Sequence, residues 1–400
     1  MLNKRLVILE PRLSGHHTFY LRQIVEGARD RGIQVAVGTA GDWTAHPGLQ
    51  FLGADEVIGD PLEEPISAPI GTRIDLIDGQ RRYWHALKDF SRRHISRSDV
   101  IFLPFMDSCL YSIAALGSPF QDHRWAGIGM RITAHHAREG VEGAQTGISA
   151  YLRLLALRRV LRTRSLSAFF CIDPLLPEAR VLPPKARAKC CFLPDPAPTA
   201  QRASRDVALR SLGLDASLKY LLVYGSIAAR KGIRELLAIV AQPAFPADLK
   251  VLICGKIDKE CSRYIEEATA GNDRVRRALI VRNAWMDMDA ENALFSGADL
   301  VWAAYSDHNS MSGVLVQAGA HGRPVVSTKY GLLGWYTKTQ GLGVQVDLRA
   351  PEASADCLAQ FMRNTEKRLA AGSAAWSAFC GHTEQSFREA LFAGLQQKLT

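Results

Sequence analysis

The chain has 400 residues, which is too long for one ordinary hydrophobic core and predicts roughly two to three domains. Hydrophobic residues make up 47% of it and charged residues 22%, so the composition excludes a disordered or fibrous chain. The net charge of +9 fits an anionic substrate, an anionic membrane surface, a nucleic acid or an ordinary basic surface.

The eight cysteines and the first residues bear on the compartment. No two cysteines form a C-x-x-C pair and most lie in apolar stretches, so we expect a reducing compartment without disulfides or a zinc site. The first apolar run ends at Glu10 and Pro11, which predicts a strand and not a signal peptide. No apolar stretch has the length of a transmembrane helix. We therefore expect a cytoplasmic protein, with peripheral contact at the inner face of the cell membrane as an option.

Short apolar strands alternate with helical patterns in the first half of the chain. The predicted strands are 5–10, 33–40, 99–105, 125–134, 167–172 and 188–194, with helices at 17–32 and 80–96. Such alternation predicts βαβ units and a parallel sheet with helices on both faces.

A stretch rich in Pro, Ala and Ser at 193–206 reads as a linker, after which the alternation restarts. The second set of predicted strands is 219–226, 249–255, 278–283, 298–305 and 323–328, with a helix from 231 and a mostly helical stretch at 354–398. We predict an α/β protein with two doubly wound, Rossmann-like parallel-sheet domains at 1–196 and 207–372, facing a central cleft. A helical segment at 373–400 completes the chain, and packing against the first domain is one option for it.

The stretch 298–328 predicts a strand, a polar loop and a helix in succession. The loop carries Asp307 and Asn309, and the helix begins at Ser312–Gly313. Backbone N–H groups at such a helix start form an anion site that suits a diphosphate. Alternatively, Ser312 is only the N-cap of an ordinary helix.

The stretch 219–237 predicts a second element of a phosphate site. A strand ends at Gly225, and a short loop carries Arg230 and Lys231 before Gly232 opens a helix. A cation at the carboxyl edge of a strand suits a phosphate leaving group. Alternatively, both cations are solvated surface residues.

Two loops in the first half carry histidines. Gly15, His16 and His17 follow the first strand, where glycine permits a close approach of the backbone to a ligand. His135 and His136 follow a predicted strand, where a histidine suits a sugar hydroxyl near the reacting centre. Because adjacent strand residues point to opposite faces, we expect this pair to be a poor metal chelate and at least one of the two to be structural.

The stretch 151–165 contains five arginines and no acid. Its leucines do not fall on a single face at helical spacing. The stretch predicts either contact with an anionic membrane or a basic interdomain surface.

Together these blocks resemble the GT-B glycosyltransferases, specifically the retaining group called family 4, over nearly the whole chain and most strongly from 219 to 348. The string GSIAARKG at 225–232 is similar to the Gly-Arg, short loop and Lys-Gly that open the second domain of that family. The block 312–335 is similar to its donor-binding helix, next strand and Gly-rich turn. In the first half, AHH at 134–136 and the loop at Gly15 resemble the family's strand-end histidine and N-terminal Gly loop.

Three departures from the family pattern concern the donor site. Ser226 stands where the family has arginine after the strand-end glycine, and the N-terminal loop lacks a Gly-Gly pair. Asn309 and Gln317 stand where the family has two glutamates eight positions apart, and neither carries charge. We hypothesise that Arg230 replaces the missing cation and that Asp307 supplies a carboxylate.

The resemblance implies a retaining, hexosyltransferase-like enzyme that moves a sugar from a nucleotide-sugar to a saccharide or lipid-linked acceptor, in cell-surface polysaccharide biosynthesis. The second domain would bind the donor at Gly225 and Ser226, and the first domain would bind the acceptor. Lys231 and Arg230 would stabilise the leaving diphosphate together with the helix start at Ser312–Gly313.

The remaining roles also follow from the resemblance. Gln317 would contact the ribose and Asn309 or Asp307 the donor sugar, while His135 would lie near the reacting sugar. Gly15 and His16 would approach the phosphates or the acceptor. We expect no cofactor and no obligatory metal.

Three alternatives are weighed against the transferase. The lost acids favour a degenerate GT-B protein that binds a nucleotide-sugar without turnover. A GT-B-type nucleotide-sugar epimerase would need catalytic acids that the sequence does not identify. Nucleic-acid binding is disfavoured, because the basic residues are scattered and not interleaved with aromatic residues.

Overall fold

The computed structural model describes residues 4–13, 15–40, 53–60, 62, 73–198 and 202–399. These residues group into two compact units. Unit 1 comprises Met1–Glu139, Gln145–Pro194 and Glu384–Thr400, and unit 2 comprises Gly140–Ala144 and Asp195–Thr383. Each unit contains one parallel sheet together with helices, so the predicted fold class is confirmed. The roles assigned to the domains 1–196, 207–372 and 373–400 stay predictions.

Unit 1 is built on a seven-stranded sheet. Its strands are β1 (Leu6–Leu9), β2 (Val35–Ala40), β3 (Glu56–Asp60), β4 (Val100–Leu103), β5 (Trp125–Gly129), β6 (Leu166–Cys171) and β7 (Cys190–Phe192). Their order is β3-β2-β1-β4-β5-β6-β7, and every neighbouring pair is parallel. The central strand β1 reads LVIL and is buried along its whole length, as expected of a strand covered on both faces.

The described helices of unit 1 up to residue 194 are α1 (His16–Arg29), α2 (Arg73–His94), α3 (Leu110–Leu116), α4 (Gly147–Leu161) and α5 (Pro184–Arg187). Buried side chains from the sheet and these helices form the core, with Trp125, Phe120 and Phe169 among the largest. This core anchors the strands whose carboxyl ends carry the loops discussed below.

Unit 2 is built on a six-stranded sheet. Its strands are β8 (Lys219–Tyr224), β9 (Leu249–Cys254), β10 (Leu279–Arg282), β11 (Leu300–Ala303), β12 (Val325–Ser327) and β13 (Gly343–Gln345). Their order is β10-β9-β8-β11-β12-β13, again with parallel pairs throughout. The helices are α6 (Arg205–Ser211), α7 (Ile233–Val240), α8 (Lys259–Gly271), α9 (Asp273–Ala278), α10 (Met288–Gly297), α11 (Gly313–Ala320), α12 (Gly331–Thr339), α13 (Pro351–Arg363) and α14 (Thr365–Phe379).

The last helix, α15 (Glu384–Leu399), belongs to unit 1. It packs against α1, where a Cβ at Gly27 would come 2.7 Å from the ring of Phe392. Arg388 of α15 donates a 2.7 Å bond to Glu26 of α1. A glycine and an ion pair therefore fix this helix pair. None of the described helices combines the length and the hydropathy that a membrane span requires.

Several predicted boundaries were wrong. The strand predicted at 125–134 ends at Gly129, because residues 130–135 leave the sheet and form a loop. The short strands β3 and β13 were not predicted, since β3 is half-exposed and β13 has only three residues. Because β5 ends at Gly129, the candidate histidines His135 and His136 lie in the loop after β5 and not in the sheet.

Each sheet reverses its strand order at one point. In unit 1 the reversal lies between β1 and β4, and in unit 2 it lies between β8 and β11. Ligands of doubly wound sheets bind outside the carboxyl ends of the strands at such a switch point. The loops after these four strands are therefore the positions to inspect for a site.

Candidate functional site

The carboxyl end of β8 places a buried cation at the switch point of unit 2. A short 3-10 turn at Ala229–Lys231 follows the strand, and Lys231 is only 3% exposed. Its Nζ donates to the carbonyl of Tyr224 at 2.5 Å and to the hydroxyl of Tyr305 at 3.2 Å. Among the described residues no carboxylate pairs with this ammonium. Buried charges are normally paired, so a cation in this state favours an anionic ligand.

The backbone of Lys231 is fixed as firmly as its side chain. Trp302, a fully buried residue of β11, donates from its indole Nε1 to the carbonyl of Lys231 at 2.8 Å. Gly232 follows with φ 68°, and a Cβ there would come 2.7 Å from the carbonyl oxygen of Ala304. Only glycine fits this left-handed, crowded position without strain. The turn at Ala229–Lys231 is thereby held against β11, the strand on the other side of the switch point.

The start of α11 lies beside the same cation. Ser312 is the N-cap, and its Oγ accepts from the backbone N–H of Val314 at 3.3 Å. The same Oγ lies 3.5 Å from the hydroxyl of Tyr305, and that hydroxyl also accepts a hydrogen bond from Lys231 Nζ. Gly313 is exposed, and nothing lies within 4 Å of the position its Cβ would occupy. The interpretation of Ser312 as an N-cap and the interpretation of this helix start as an open anion site are therefore compatible.

Arg230 differs from its neighbour. Its side chain is exposed, with the guanidinium 5.8 Å from the centroid of the Tyr305 ring. Its carbonyl accepts from the N–H of Ser306 at 2.8 Å, so it also helps to fix the loop after β11. Ser226 is exposed and Gly225 has φ 97°, with its missing Cβ 3.7 Å from Lys231 Nζ. A side chain at position 225 would therefore approach the cation.

The loop after β11 carries Asp307 and Asn309. Asp307 is exposed and adopts φ 50°, a left-handed conformation that aspartate tolerates better than most residues. The carbonyl of Asn309 accepts from the N–H of Leu332 at 3.1 Å. At Gly331, the first residue of α12, a Cβ would come 2.6 Å from the carbonyl oxygen of His308. The loop thus packs against the start of α12, and glycine is needed there.

Gln317 of α11 lies against an acid that the sequence pattern did not identify. Its Nε2 donates to Oε1 of Glu291, in α10, at 2.5 Å. Burial raises the pKa of Glu291, while hydrogen bonds from Tyr224 and Gln317 oppose that rise. Burial and the neighbouring Glu291 also raise the pKa of the Tyr224 hydroxyl. A carboxylate therefore lies next to Gln317, the position at which the resemblance leads us to expect a glutamate, although it comes from a different helix.

In unit 1, the loop after β1 leads into α1 through Gly15. This residue has φ 58° and ψ −130°, which side chains rarely adopt. The ring of His16 lies 5.4 Å from that of Phe105, a residue that follows β4. His17 is buried, with Nδ1 3.2 Å from Oε1 of Glu10. Burial raises the pKa of Glu10, and the contact with His17 opposes that rise. The loop residues therefore lie at the switch point of unit 1.

His135 and His136 are arranged differently from the prediction. They lie in the loop after β5 and both converge on Asp173, which follows β6. Their Nε2 atoms are 3.1 Å and 2.6 Å from Asp173 Oδ2, and both rings are at most 1% exposed. The argument that adjacent residues point to opposite faces was wrong, because the pair is not in a strand.

The surroundings of Asp173 suit a charged cluster. Burial acts to raise the pKa of this carboxyl, but the two imidazoles outweigh it and lower the pKa well below its usual range. The three side chains bring their ligand atoms within 4.8 Å of one another, and together they are groups that can hold a metal ion. Two imidazoles and a carboxylate suit a divalent transition metal. The cluster is therefore either a buried charge network or a metal site.

The structure thus brings Gly225, Lys231 and Ser312 together in unit 2, with Arg230 exposed nearby. Gly15 and His16 lie in one part of unit 1, and His135 lies beside His136 and Asp173. Sequence analysis missed Tyr305, Glu291 and Asp173. Tyr305 and Asp173 each follow a strand and could have been identified by that position, whereas nothing in the local pattern singles out Glu291.

Known proteins resemble this chain in its second half and in its fold. Residues 219–364 match the family Glycosyl transferases group 1. A D-inositol 3-phosphate glycosyltransferase of Corynebacterium urealyticum is 31% identical over 183 residues, which are 43% of this chain and 41% of that protein. The match thus spans about two fifths of the length of this curated relative.

Solved structures match over nearly the full length of the chain. Sucrose-phosphate synthase from Thermosynechococcus elongatus has a TM-score of 0.68 at 16% identity, covering 99% of each chain. Anabaena HepE in complex with UDP and glucose has a TM-score of 0.63 at 15% identity, covering 99% of this chain and 100% of its own. Likeness at this identity shows the fold. The chain therefore has the GT-B fold, and residues 219–364 match the model of the family Glycosyl transferases group 1.

Proposed function

We propose that this protein is a glycosyltransferase that binds a nucleotide-sugar at the switch point of unit 2 and transfers its sugar to an acceptor. The observation that carries the proposal is the buried ammonium of Lys231, which has no carboxylate partner among the described residues and lies beside the start of α11. The glycosyl transferases group 1 match covers this site. Complexes of HepE with UDP and UDP-glucose make a UDP-sugar the first donor to test.

In the proposed mechanism the diphosphate accepts hydrogen bonds from Lys231 and from the first N–H groups of α11. Both groups are fixed before the reaction, so they stabilise the charge that grows on the leaving group without reorganising. The hydroxyl of Tyr305 contacts both Lys231 Nζ and Ser312 Oγ and so fixes their relative positions. Arg230 adds a second, solvent-exposed cation, and Gly225 and Ser226 leave room for the phosphates.

For the rest of the donor, Glu291 and Gln317 form a paired carboxylate and amide that suits the two ribose hydroxyls. Asn309 and Asp307, on the loop after β11, are assigned to the donor sugar. The charge absent from positions 309 and 317 is thereby supplied by Asp307 and Glu291. With these two carboxylates assigned, the missing glutamates no longer favour a degenerate protein. A protein that binds the donor without turnover is the second candidate function.

Unit 1 is assigned to the acceptor, a saccharide or a lipid-linked saccharide. Gly15 and His16 would approach the acceptor or the phosphates, and His135 is assigned to the reacting sugar with Asp173 fixing its orientation. Retention of configuration, independence of metal ions, a cytoplasmic location and a role in cell-surface polysaccharide assembly stay predictions from the family resemblance.

A ligand screen tests the proposal. The purified protein is melted alone and with UDP, GDP, ADP, CMP and their common sugars. A ligand present at 100 times its dissociation constant adds about 2.7 kcal/mol to the stability of the folded state. For a chain of this length that amounts to a shift of a few degrees. A shift with one nucleotide family, followed by release of that nucleotide from its sugar, supports the proposal, whereas no shift with any of them contradicts it.

A further inference from the structure

Helix α4 in unit 1 presents an apolar face that the fold leaves uncovered. Ile148 is 80% exposed, Tyr151 58%, Leu152 57% and Leu155 38%. These positions follow the spacing i, i+3, i+4 and i+7, so the four side chains lie on one face of the helix. The neighbouring helix α3 adds two more exposed apolar side chains, Tyr111 at 40% and Leu116 at 51%.

The opposite side of α4 is already used by the core. Leu157, Val160 and Leu161 are buried in the hydrophobic cluster of unit 1. The leucines that lacked a single face in the sequence are thus divided between a buried face and an exposed one. The core does not need the exposed set, and contiguous exposed apolar surface on a protein marks an interaction site.

The same face becomes basic toward the end of the helix. Arg159 and Arg162 continue the stripe of Ile148, Leu152 and Leu155 at alternating steps of four and three residues. Both arginines are exposed, as is Arg164. Within the described residues no acid pairs with these three side chains. The sequence between Glu142 and Asp173 contains no acidic residue.

An apolar patch of leucine, isoleucine and tyrosine next to unpaired arginines matches the surface of an anionic bilayer. Helices that lie in the plane of a membrane place apolar side chains at the boundary of the headgroups and acyl chains, and the exposed face of α4 offers side chains of that kind. Tyrosine suits that boundary, since its ring is apolar and its hydroxyl is polar. Arginines at the edge of the patch reach anionic headgroups while their stems cover apolar surface.

We propose that α4 and α3 dock unit 1 on an anionic phospholipid membrane. A soluble protein with an apolar and acidic surface would contact the same residues, and it is distinguished from a membrane by the vesicle experiment below. A second copy of the chain would bury the apolar residues but would bring the arginines of the two copies together without an acid to pair with. The exposure and charge of these side chains carry the proposal, which does not depend on the activity proposed above.

Vesicle sedimentation tests the proposal. The full chain is spun with vesicles of phosphatidylcholine alone and with vesicles of phosphatidylcholine and phosphatidylglycerol in equal parts. Binding is expected only to the anionic vesicles and should weaken as salt is added. Replacing Arg159 and Arg162 by glutamine should reduce binding by about fivefold per arginine. Replacing Leu152 and Leu155 by serine should abolish it.

Matched controls separate this surface from general charge or loss of fold. Arg263 and Arg276 are also exposed arginines, but they lie in unit 2 and each is close to an acid, so their replacement by glutamine should leave vesicle binding unchanged. All variants must keep the wild-type melting temperature, as expected of exposed positions.

Equal binding to both vesicle types, or unchanged binding by the Arg159 and Arg162 variant, would overturn the proposal. So would a wild-type dimer in light scattering that dissociates in the Leu152 and Leu155 variant, because a second copy would then cover the face. The outcome of the nucleotide screen affects neither result.

Discussion

Replacement of Lys231 by methionine separates the two functions that a buried cation can have. Methionine keeps an unbranched stem of similar length but removes the charge and the three N–H donors. If the ammonium serves the fold, this variant should be unstable. If it serves an anionic ligand, the variant should fold normally and fail to bind or use the donor.

The structure gives the expected magnitudes. The variant loses the bonds to the carbonyl of Tyr224 and the hydroxyl of Tyr305, each about 1.5–3 kcal/mol for a charged donor. It also removes the cost of burying an ammonium that no described carboxylate pairs, which is several kcal/mol. These effects have opposite signs and similar size, so the free energy of unfolding should change by no more than about 2 kcal/mol. Turnover should instead fall about 100-fold or more, because the missing charge stabilises the transition state.

Two assays check these magnitudes on the same preparation. Urea denaturation gives the free energy of unfolding, and release of nucleotide from a UDP-sugar gives the rate. Lys367→Met is the control, since Lys367 is an exposed lysine of the same unit and lies in α14, outside the loops of the proposed site. It should match the wild type in both assays. A Lys231→Met variant that keeps its turnover and its UDP-induced melting shift would refute the phosphate site.

The remaining predictions concern the ribose contact, acid sensitivity and metals. Glu291→Gln should weaken UDP binding about tenfold, because one charge-assisted hydrogen bond is lost, and calorimetry measures this change. The exposed acid Glu260 is the control and can be replaced by glutamine without effect. Equal UDP affinities of the wild type and the Glu291→Gln variant would remove Glu291 from the site. Burial lowers the pKa of His321 and that of His382 to about 4, below the unfolded value near 6.5, so both rings are neutral when folded. Stability should therefore fall as the pH drops from about 6.5 toward 4, by about 1.4 kcal/mol per pH unit for each histidine. Urea titrations of His321→Gln should show a slope smaller by about 1.4 kcal/mol per pH unit, and an unchanged slope would place its origin elsewhere. EDTA should leave turnover unchanged, but a melting temperature raised by zinc in the wild type and not in Asp173→Asn would assign the histidine cluster to a metal.

Strands buried in parallel sheets were the most predictable part of the fold. The run LVIL of β1 is apolar at every position, and such a run has few alternatives to a covered strand. The residues after Gly129 continue the apolar and β-branched pattern, which hid the end of β5 and placed His135 in a strand. Strand β13 has three residues and is defined by its pairing with β12, which no local pattern reports.

The candidate site divides in the same way. Lys231 and Ser312 follow predicted strands, so their positions along the chain suffice to place them at the carboxyl edge of a sheet, whereas the strand order that makes this edge a switch point is known only from the structure. Glu291 lies in the first turn of α10, where an acid is common for helix stability alone, and it is 26 residues before Gln317. Its contact with that residue depends on how α10 packs against α11, and packing of that kind is not encoded by spacing. Asp173 and its two histidines likewise meet only because β5 and β6 are neighbours in the sheet.

The bond from Trp302 to the carbonyl of Lys231 has a consequence for how such a site diversifies. The cation is tied to the sheet core through its backbone and through Tyr224 and Tyr305, so its entropy is lost when the protein folds and not when the ligand arrives. In the loop after β11, by contrast, the side chain of Asp307 is exposed and that of Asn309 is only half-buried. Substitutions in that loop can therefore change the sugar that is accepted while the machinery for the phosphate stays intact. One scaffold thereby combines a fixed phosphate site with a sugar-binding loop whose residues can vary.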